Sequence, residues 1–406
     1  MRIDTDIAIV GGGMVGASLA AALEPLGLRV LVVESRRPGL PGQPSFDDRS
    51  TALGEVSRRI FEAIGCWEGM ADGACPITEI HVSDRGRFGQ ARLRAREEGR
   101  EAFGYVVENR RLGAALWARL ESGGATILAP AVVEACHAET DGVRVDVTSE
   151  QDQVEVRARL LVAADGVRSG IRDRLGVGVR TWDYDQIAVV ANVEPGRSHD
   201  GVAYERFAES GPMALLPMPG RRCSLVWTFP WDLSEAVLSW TDERFLDELQ
   251  NAFGFRLGRF QRVGARSSYP LALVRAHRQS VDRTLLLGNA AHGLHPVAGQ
   301  GFNLSLRDVA GLAECIADDP GMDPGAPDLL ARYESWRQSD QRATALFSDA
   351  LIRVFGNPLT PVRLARNLGL LGLELLPPAR AAVARQGMGL GSGNRIPRLA
   401  RGVPLA

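Results

Sequence analysis

Apolar residues in the first third of the chain come in short unbroken runs rather than in alternation. Ile3–Val10, apolar apart from Asp4, Thr5 and Asp6, reads as a buried parallel strand, because a strand covered on both faces loses its polar alternation. Met14–Leu26, rich in Ala and Leu, predicts a helix. Leu28–Val33 predicts a second strand, ended by Glu34. A Pro/Gly-rich loop over Arg36–Ser50 then leads to a helix over Glu55–Ile64. Ile77–Asp84 alternates as a strand, Arg92–Arg100 reads as a charged, exposed ribbon, Tyr105–Val107 as a strand and Arg110–Leu120 as an amphipathic helix. Thr126–Leu128, Val132–Ala135, Val143–Val147 and Val154–Val156 predict a small meander. Leu160–Ala164 is a further buried strand.

The middle of the chain changes character. Gln186–Val193, Ala203–Phe207, Met213–Pro217 and Cys223–Phe229 predict a strand-rich block carrying one helix, Asp242–Phe253. Arg283–Leu287 returns to the buried parallel type, followed by helices over Gly301–Ala317 and Leu329–Ile352. The expected fold class is α/β, α+β overall: a Rossmann-like domain, an inserted and mostly antiparallel domain, and a C-terminal helical segment. The expected boundaries are 1–76, 101–180 and 274–340 for the first, 77–100 and 181–273 for the second, and 341–406 for the third.

Three glycine-bearing segments follow predicted strands. In the first, Gly11 permits a tight turn, Gly13 lets backbone approach a pyrophosphate, and Gly16 lets the helix pack on the strand. The amides of Met14 and Val15 would face the phosphate at the helix start. Glu34 stands where a ribose diol is hydrogen-bonded. This part predicts a dinucleotide site and leaves FAD and NAD(P) equally open. The second segment, Asp165-Gly166, ends the strand Leu160–Ala164, at the edge where open α/β sheets meet ligands. The third runs from Gly288-Asn289 to Pro296 and Gly299-Gln300-Gly301-Phe302-Asn303. Asn289 would meet a chain of hydroxyls, and the helix start at Gly299–Gly301 the carbonyl edge of a flavin ring.

Bulk properties narrow the field. The length of 406 residues allows two or three domains, and the net charge of −2 argues against nucleic acid as a partner. The chain has no lysine, which excludes Schiff-base and P-loop chemistry. Five scattered cysteines form no CxxC pair and read as reduced thiols, and six histidines form no metal motif. No signal peptide is read, and no stretch reaches the ~18 apolar residues of a membrane span.

These segments resemble the class A FAD-dependent aromatic hydroxylases of the p-hydroxybenzoate hydroxylase type. The dinucleotide motif matches at Gly11, Gly13, Gly16 and Glu34, the second motif at Asp165 and Gly166, and the third at Gly288, Pro296, Gly299 and Gly301. Asn289 replaces the usual aspartate; it keeps an acceptor and loses the charge. Within this class the chain is similar to the ubiquinone-biosynthesis hydroxylases, through Asp47, Arg49, Ala52 and Leu53 and the run His295–Leu304. The segments Ile80–Gly86, Tyr204–Phe207 and Cys223–Trp227 further resemble the 2-polyprenyl-6-methoxyphenol hydroxylases.

The resemblance implies bound FAD, NAD(P)H as a transient reductant, and O₂ converted to a flavin C4a-hydroperoxide that hydroxylates a polyprenylated phenol. It implies flavin-based chemistry with no catalytic triad and no metal. Arg49 is expected over the flavin or its pyrophosphate, and Asn109 at the pyrophosphate or at a helix cap. Tyr269 and Pro270 are expected to border the substrate. Hydroxylation at another ring position, a flavin-dependent reductase of the same fold and a non-catalytic subunit of a biosynthetic complex stay open as alternatives.

Residues 353–406 carry eight arginines against one acid, Glu374, around the leucine-rich stretch Leu364–Leu376. A basic, leucine-rich segment suits a membrane surface or a partner protein, or packing on the body of the molecule. The expected location is the cytoplasm, with peripheral contact to the inner membrane.

Overall fold

The computed structural model describes residues 1–37, 49–150, 152–294, 299–355, 359–391 and 395–405. Its first sheet is built around Arg2–Val10, flanked in parallel by Val30–Val33 on one side and Asp152–Ala163 on the other. Thr126–Leu128 and Thr284–Leu286 extend it, again in parallel. The register explains the unbroken apolar runs. Ile7, Ile9, Leu160 and Val162 pack on one face with the helices Met14–Leu23 and Gln300–Ala317. Ala8, Val10, Leu161 and Ala163 pack on the other, against Ala131–Ala138 and Val143–Ser149. Burial on both faces leaves no polar side for the sequence to display.

One expectation needs correction here. Val154–Val156 and Leu160–Ala164 are one continuous strand, Asp152–Ala163, whose first half also pairs antiparallel with Val143–Ser149. The arginines 157 and 159 split the apolar pattern, because this end of the strand keeps one face towards solvent.

The second sheet is mostly antiparallel. Its longest strand, Val179–Pro195, pairs with Ser267–Ala276 on one side and Cys223–Pro230 on the other. Beyond the latter lie Pro212–Pro217, Val202–Phe207, then Glu79–Asp84 in parallel, and Gln90–Arg94 at the edge. One face buries Val189, Leu215, Leu225 and Trp227 against Phe245 and Leu249 of the helix Asp242–Phe253. The other face turns towards the first domain, where Ile80, Ala203 and Leu216 meet Ala52 and Val106 of a small sheet made by Ser50–Gly54, Cys75–Pro76 and Gly104–Glu108. Val179–Pro195 and Ser267–Ala276 each run across an expected domain boundary, and His292–Gly293 pairs with Val274 and Arg275. The second sheet therefore reaches into sequence expected for the first domain on both of its flanks.

The stretch expected as an exposed ribbon is half buried. Leu93 and Ala95, like Ala91 just before it, are inside, covered by the C-terminal helices Thr360–Leu375 and Pro377–Gly387, while the intervening arginines are partly exposed. Asp84 accepts hydrogen bonds from Arg366 (3.0 and 2.5 Å) and from Asn367 (2.9 Å). Asn367 in turn accepts from the Gly89 amide, and Glu374 from the Arg92 amide. Arg353, Arg366, Arg380, Arg395 and Arg398 all form ion pairs with acidic groups, most of them on the body, so much of the C-terminal positive charge is internally neutralised. Leu399, Ala400 and Leu405 end inside the first domain's core.

Removing Arg366 leaves Asp84 buried without its cation, a loss of about 3–5 kcal/mol for such a pair. Arg366→Leu should therefore accelerate hydrogen exchange over residues 360–387 by at least a hundredfold while Arg2–Val10 stays protected. Unchanged exchange over 360–387 would show that the ion pair does not hold this helix.

Candidate functional site

The site begins where three parallel strands end side by side. Arg2–Val10, Asp152–Ala163 and Thr284–Leu286 point their C-terminal ends the same way, so Gly11, Asp165 and Gly288 share one edge of the sheet. Gly11 has φ +103°, and a Cβ there would lie 2.5 Å from the Ala164 carbonyl oxygen. A Cβ on Gly16 would lie 1.9 Å from the Gly11 carbonyl oxygen. The helix Met14–Leu23 starts after Gly13 with no side chain capping it, so the first amides, at Met14 and Val15, are open to an anion. Gly12 is clamped from both sides: its amide donates to Glu34 at 2.7 Å, and its carbonyl accepts from the Trp117 indole at 3.0 Å. Glu34 also accepts from the Arg36 amide at 2.9 Å. Trp117 escaped the sequence reading, because nothing in the pattern of its helix separates it from an ordinary core residue.

Asp165 accepts from the Ile171 amide through one oxygen, while its other oxygen, Oδ1, is buried without a hydrogen-bond partner. A buried carboxylate oxygen left in this way costs stability unless a ligand donates to it. Gly166 has φ +87°. Gly288 has φ +62°, and a Cβ on it would lie 3.1 Å from both methyls of Val15, so the third segment closes directly on the first helix. The Asn289 side chain is exposed beside this contact. The glycine cradle, the two uncapped helix starts and the orphaned Asp165 oxygen fit an extended dinucleotide.

The helix Gln300–Ala317 starts after Gly299, φ +60°, again without a side-chain cap. Gly301 lies at this start, its Cβ position 3.7 Å from Leu294. Phe302 packs on Phe61 in the core. Asn303 does not offer its side chain to a ligand. Its oxygen accepts from the Gly54 amide and the Ser57 hydroxyl, and its amide donates to Ala52 and Gly299 carbonyls. It ties the strand Ser50–Gly54 to the helix start. Pro296 and Asp47 lie outside the described residues.

Arg49 and Tyr269 meet: the guanidinium carbon stands 4.9 Å from the ring centre, in cation–π range. The Arg49 carbonyl accepts from the Asn109 amide at 2.8 Å, and the Asn109 side chain accepts from Thr51. Asn109 is the first residue of the helix Asn109–Ser122 and does not cap it. Arg49, Thr51, Asn109 and Tyr269 thus gather on the side of the site that faces the second sheet. Pro270, paired with Ile187, follows Tyr269 on the same strand.

Behind the third segment lies a buried polar chain with no signature in the residue pattern. His292 shares a 2.6 Å hydrogen bond with Asp308, and Asp308 accepts from Arg337 at 2.7 Å. Arg337 and Arg307 both bond Asp340, and Arg307 also reaches Thr344. Its members come from His292–Gly293 and from the helices Gln300–Ala317 and Pro327–Phe355, so it holds the site's rear wall to both. Burial alone would raise the Asp340 pKa, but Arg307 and Arg337 hold it down at about 2; Asp308 is lowered in the same way by Arg337 and His292. A carboxylate depressed in the fold stabilises it above the unfolded pKa, ~3.9, and loses that contribution as pH falls towards the folded value. Stability should therefore drop between about pH 4 and pH 2, and Asp340→Asn should flatten this part of the unfolding profile. An unchanged slope in the variant would contradict the assignment.

Known proteins match this architecture along its length. The FAD binding domain family model matches residues 4–348. Ubiquinone hydroxylase UbiL of Rhodospirillum rubrum is 44% identical over 98% of this chain and 93% of its own length. The 3-demethoxyubiquinol 3-hydroxylase of Escherichia coli is 30% identical over 95% of this chain and 99% of its own. Among solved structures, p-nitrophenol 4-monooxygenase of Pseudomonas putida shares the fold with a TM-score of 0.81, at 19% identity, over 97% of this chain and 99% of that one. The dinucleotide that the cradle accepts is accordingly FAD, with O₂ as co-substrate and NAD(P)H as reductant, and the chain belongs to the class A FAD-dependent hydroxylases.

Proposed function

We propose that this protein hydroxylates a polyprenylated phenol, 2-polyprenyl-6-methoxyphenol, in ubiquinone biosynthesis. The observation that carries this reading is the near full-length similarity to a ubiquinone hydroxylase, spanning both large sheets. When bound, FAD supplies the activation of O₂ and the delivery of one oxygen atom to an electron-rich ring. Gly11, Gly13, Met14, Val15 and Gly16 would hold its pyrophosphate, Glu34 the ribose diol, and Asp165, Gly166, Gly288 and Asn289 the hydroxylated chain between. Gly299, Gly301 and Phe302 would border the ring edge, with Asn303 fixing that border in place. Arg49 and Asn109 would close the other side, next to Tyr269, which faces the substrate, whereas Pro270, in register with Ile187 of the outer core, turns to the opposite face. The inner face of the second sheet would keep water from the reacting centre.

The lipid nature of this substrate fits the C-terminal helix. Leu364, Leu368, Leu371 and Leu375 form one exposed stripe along Thr360–Leu375, at helical spacing, with Leu359 and Leu376 exposed at its ends. Beside the stripe lies an apolar pocket of about 670 Å³ between Val354, Pro361, Val362, Ala365, Leu370 and Leu373. We read the stripe as the contact with a membrane surface and the pocket as room for a prenyl tail. No helix among the described residues is long and apolar enough to cross a membrane.

Gly16→Ala, with its Cβ driven into the Gly11 carbonyl, should purify with at least tenfold less FAD, read from the flavin absorbance of the folded fraction. Leu364→Ser, Leu368→Ser and Leu371→Ser combined should weaken liposome co-sedimentation by more than tenfold, since each buried leucine contributes ~1.5–3 kcal/mol. Equal sedimentation would reject the membrane contact. The function itself is tested by complementing strains blocked at single ubiquinone hydroxylation steps and weighing the quinone intermediate. Rescue of the step on 2-polyprenyl-6-methoxyphenol is expected; rescue of a different step would reassign the ring position. NADH oxidation with no hydroxylated product would point to a reductase instead.

A further inference from the structure

Glu205 is a carboxylic acid set in an apolar row. It sits in the middle of Val202–Phe207, and the residues paired across the sheet beside it are Val82, Ala214, Val226 and Val190. Residues in register stand on one face. Its neighbours Tyr204 and Arg206 turn to the opposite face, where Tyr204 meets Phe253 and Arg206 donates to the Ala252 carbonyl of the helix Asp242–Phe253. Glu205 therefore stands on the face turned to the first domain. Ala203, two positions back, belongs to the small apolar cluster on which Ala52 packs, and Ala52 adjoins the Gly299 helix start: a Cβ on Gly299 would lie 3.3 Å from that of Ala52. Ala188 and Tyr269 stand on the same face, two positions along from Val190, under Arg49. Glu205 stands beside the first of these landmarks, two positions from Ala203 on the same strand, and the second lies further across the same face of the sheet.

Among the described residues Glu205 makes no ion pair and no side-chain hydrogen bond. Burial pushes its pKa up to about 7, with no charged group acting on it. It nevertheless keeps part of its accessible surface. Dense surroundings and residual access together describe a group lining an internal crevice. The ionisable groups around this face are Tyr269 with Arg49, Asp84 with Arg366, Glu108 with Arg222, and Glu194 with Arg221 and Arg262; the cations are engaged by those partners. An unpaired acid in an apolar row lowers stability and is the kind of local conflict found at functional sites.

We propose that Glu205 is a catalytic residue that binds the substrate's phenolic hydroxyl and takes its proton. This rests on the reading of the protein as a phenol hydroxylase. The phenol O–H bond breaks, the proton passes to the Glu205 carboxylate, and the oxygen lone pair so released enriches the ring carbon that receives oxygen. One atom of O₂ enters the ring and the other leaves as water, with NAD(P)H as the electron donor. As the ring carbon loses its hydrogen as a proton and aromaticity returns, Glu205 gives its proton back to the phenolic oxygen.

The test uses FAD-loaded enzyme, 2-methoxy-6-prenylphenol with a single isoprene unit as probe, and the variants Glu205→Gln and Glu205→Asp. Product formation per enzyme should fall about a hundredfold in Glu205→Gln, the size expected for a lost general base, and recover in part in Glu205→Asp. The wild-type kcat/KM should fall below about pH 7, and Glu205→Gln should lack that limb. At pH 8 Glu205→Gln should melt no lower than the wild type and keep its FAD. Product within threefold of wild type with an unchanged pH profile overturns the assignment. If the wild type yields no hydroxylated product, the functional reading fails instead, and the assignment is read from binding. Probe affinity should then tighten several-fold on crossing pH 7 in the wild type but not in Glu205→Gln, and identical profiles overturn it.

Discussion

A Cβ on Gly16 would stand 1.9 Å from the carbonyl oxygen of Gly11, closer than any two such atoms can come. The first helix therefore lies on the first strand at backbone distance, and the rest of the site follows from that contact. The helix start is brought over the ends of the parallel strands, with its amides directed at whatever lies there. Val15 reaches Gly288 of the third segment, and Trp117 and Glu34 hold Gly12 between them. Adding one methyl group at this contact would move the whole edge.

The site has a floor and a roof built in different ways. The floor is a parallel sheet whose central strands are covered on both faces and paired on both sides. The roof is an antiparallel sheet whose outer face is packed on a helix and whose inner face is less tightly filled. The pairing of His292–Gly293, next to the third segment, with the roof ties the two together. The charged chain from His292 through Asp308 and Arg337 to Asp340 locks this junction from behind. Buried pairs of this kind add little net stability, but they are costly to break, so they define one arrangement against its alternatives.

The C-terminal region shows how composition can mislead about charge. Eight arginines in residues 353–406 read as a basic field. Five of them are paired with acids, and Arg366 is buried as an anchor on Asp84. What reaches the surface of Thr360–Leu375 is its leucine stripe. This helix lies on the strand Gln90–Arg94 and the next packs on Leu93 and Ala95, which is why the segment expected as an exposed ribbon is half inside.

Sequence alone determined the parts that depend on local geometry. Apolar runs marked the parallel strands, since burial on both faces removes alternation. Gly11 and Gly16 marked contacts that no side chain tolerates, and Gly288 a turn with positive φ packed closely on Val15. The helix Asp242–Phe253 was legible because its stripe has a period of its own. Tertiary structure decided whatever depends on partners distant in the chain. The Asn303 side chain is spent within the protein because Gly54 and Ser57, some 250 positions earlier, come to meet it. Asp152–Ala163 became one strand because both neighbours pair along its length. Glu205 looked like any surface acid until five strands in register set it among apolar residues facing the site, since a one-residue change in register would have turned it to the other face.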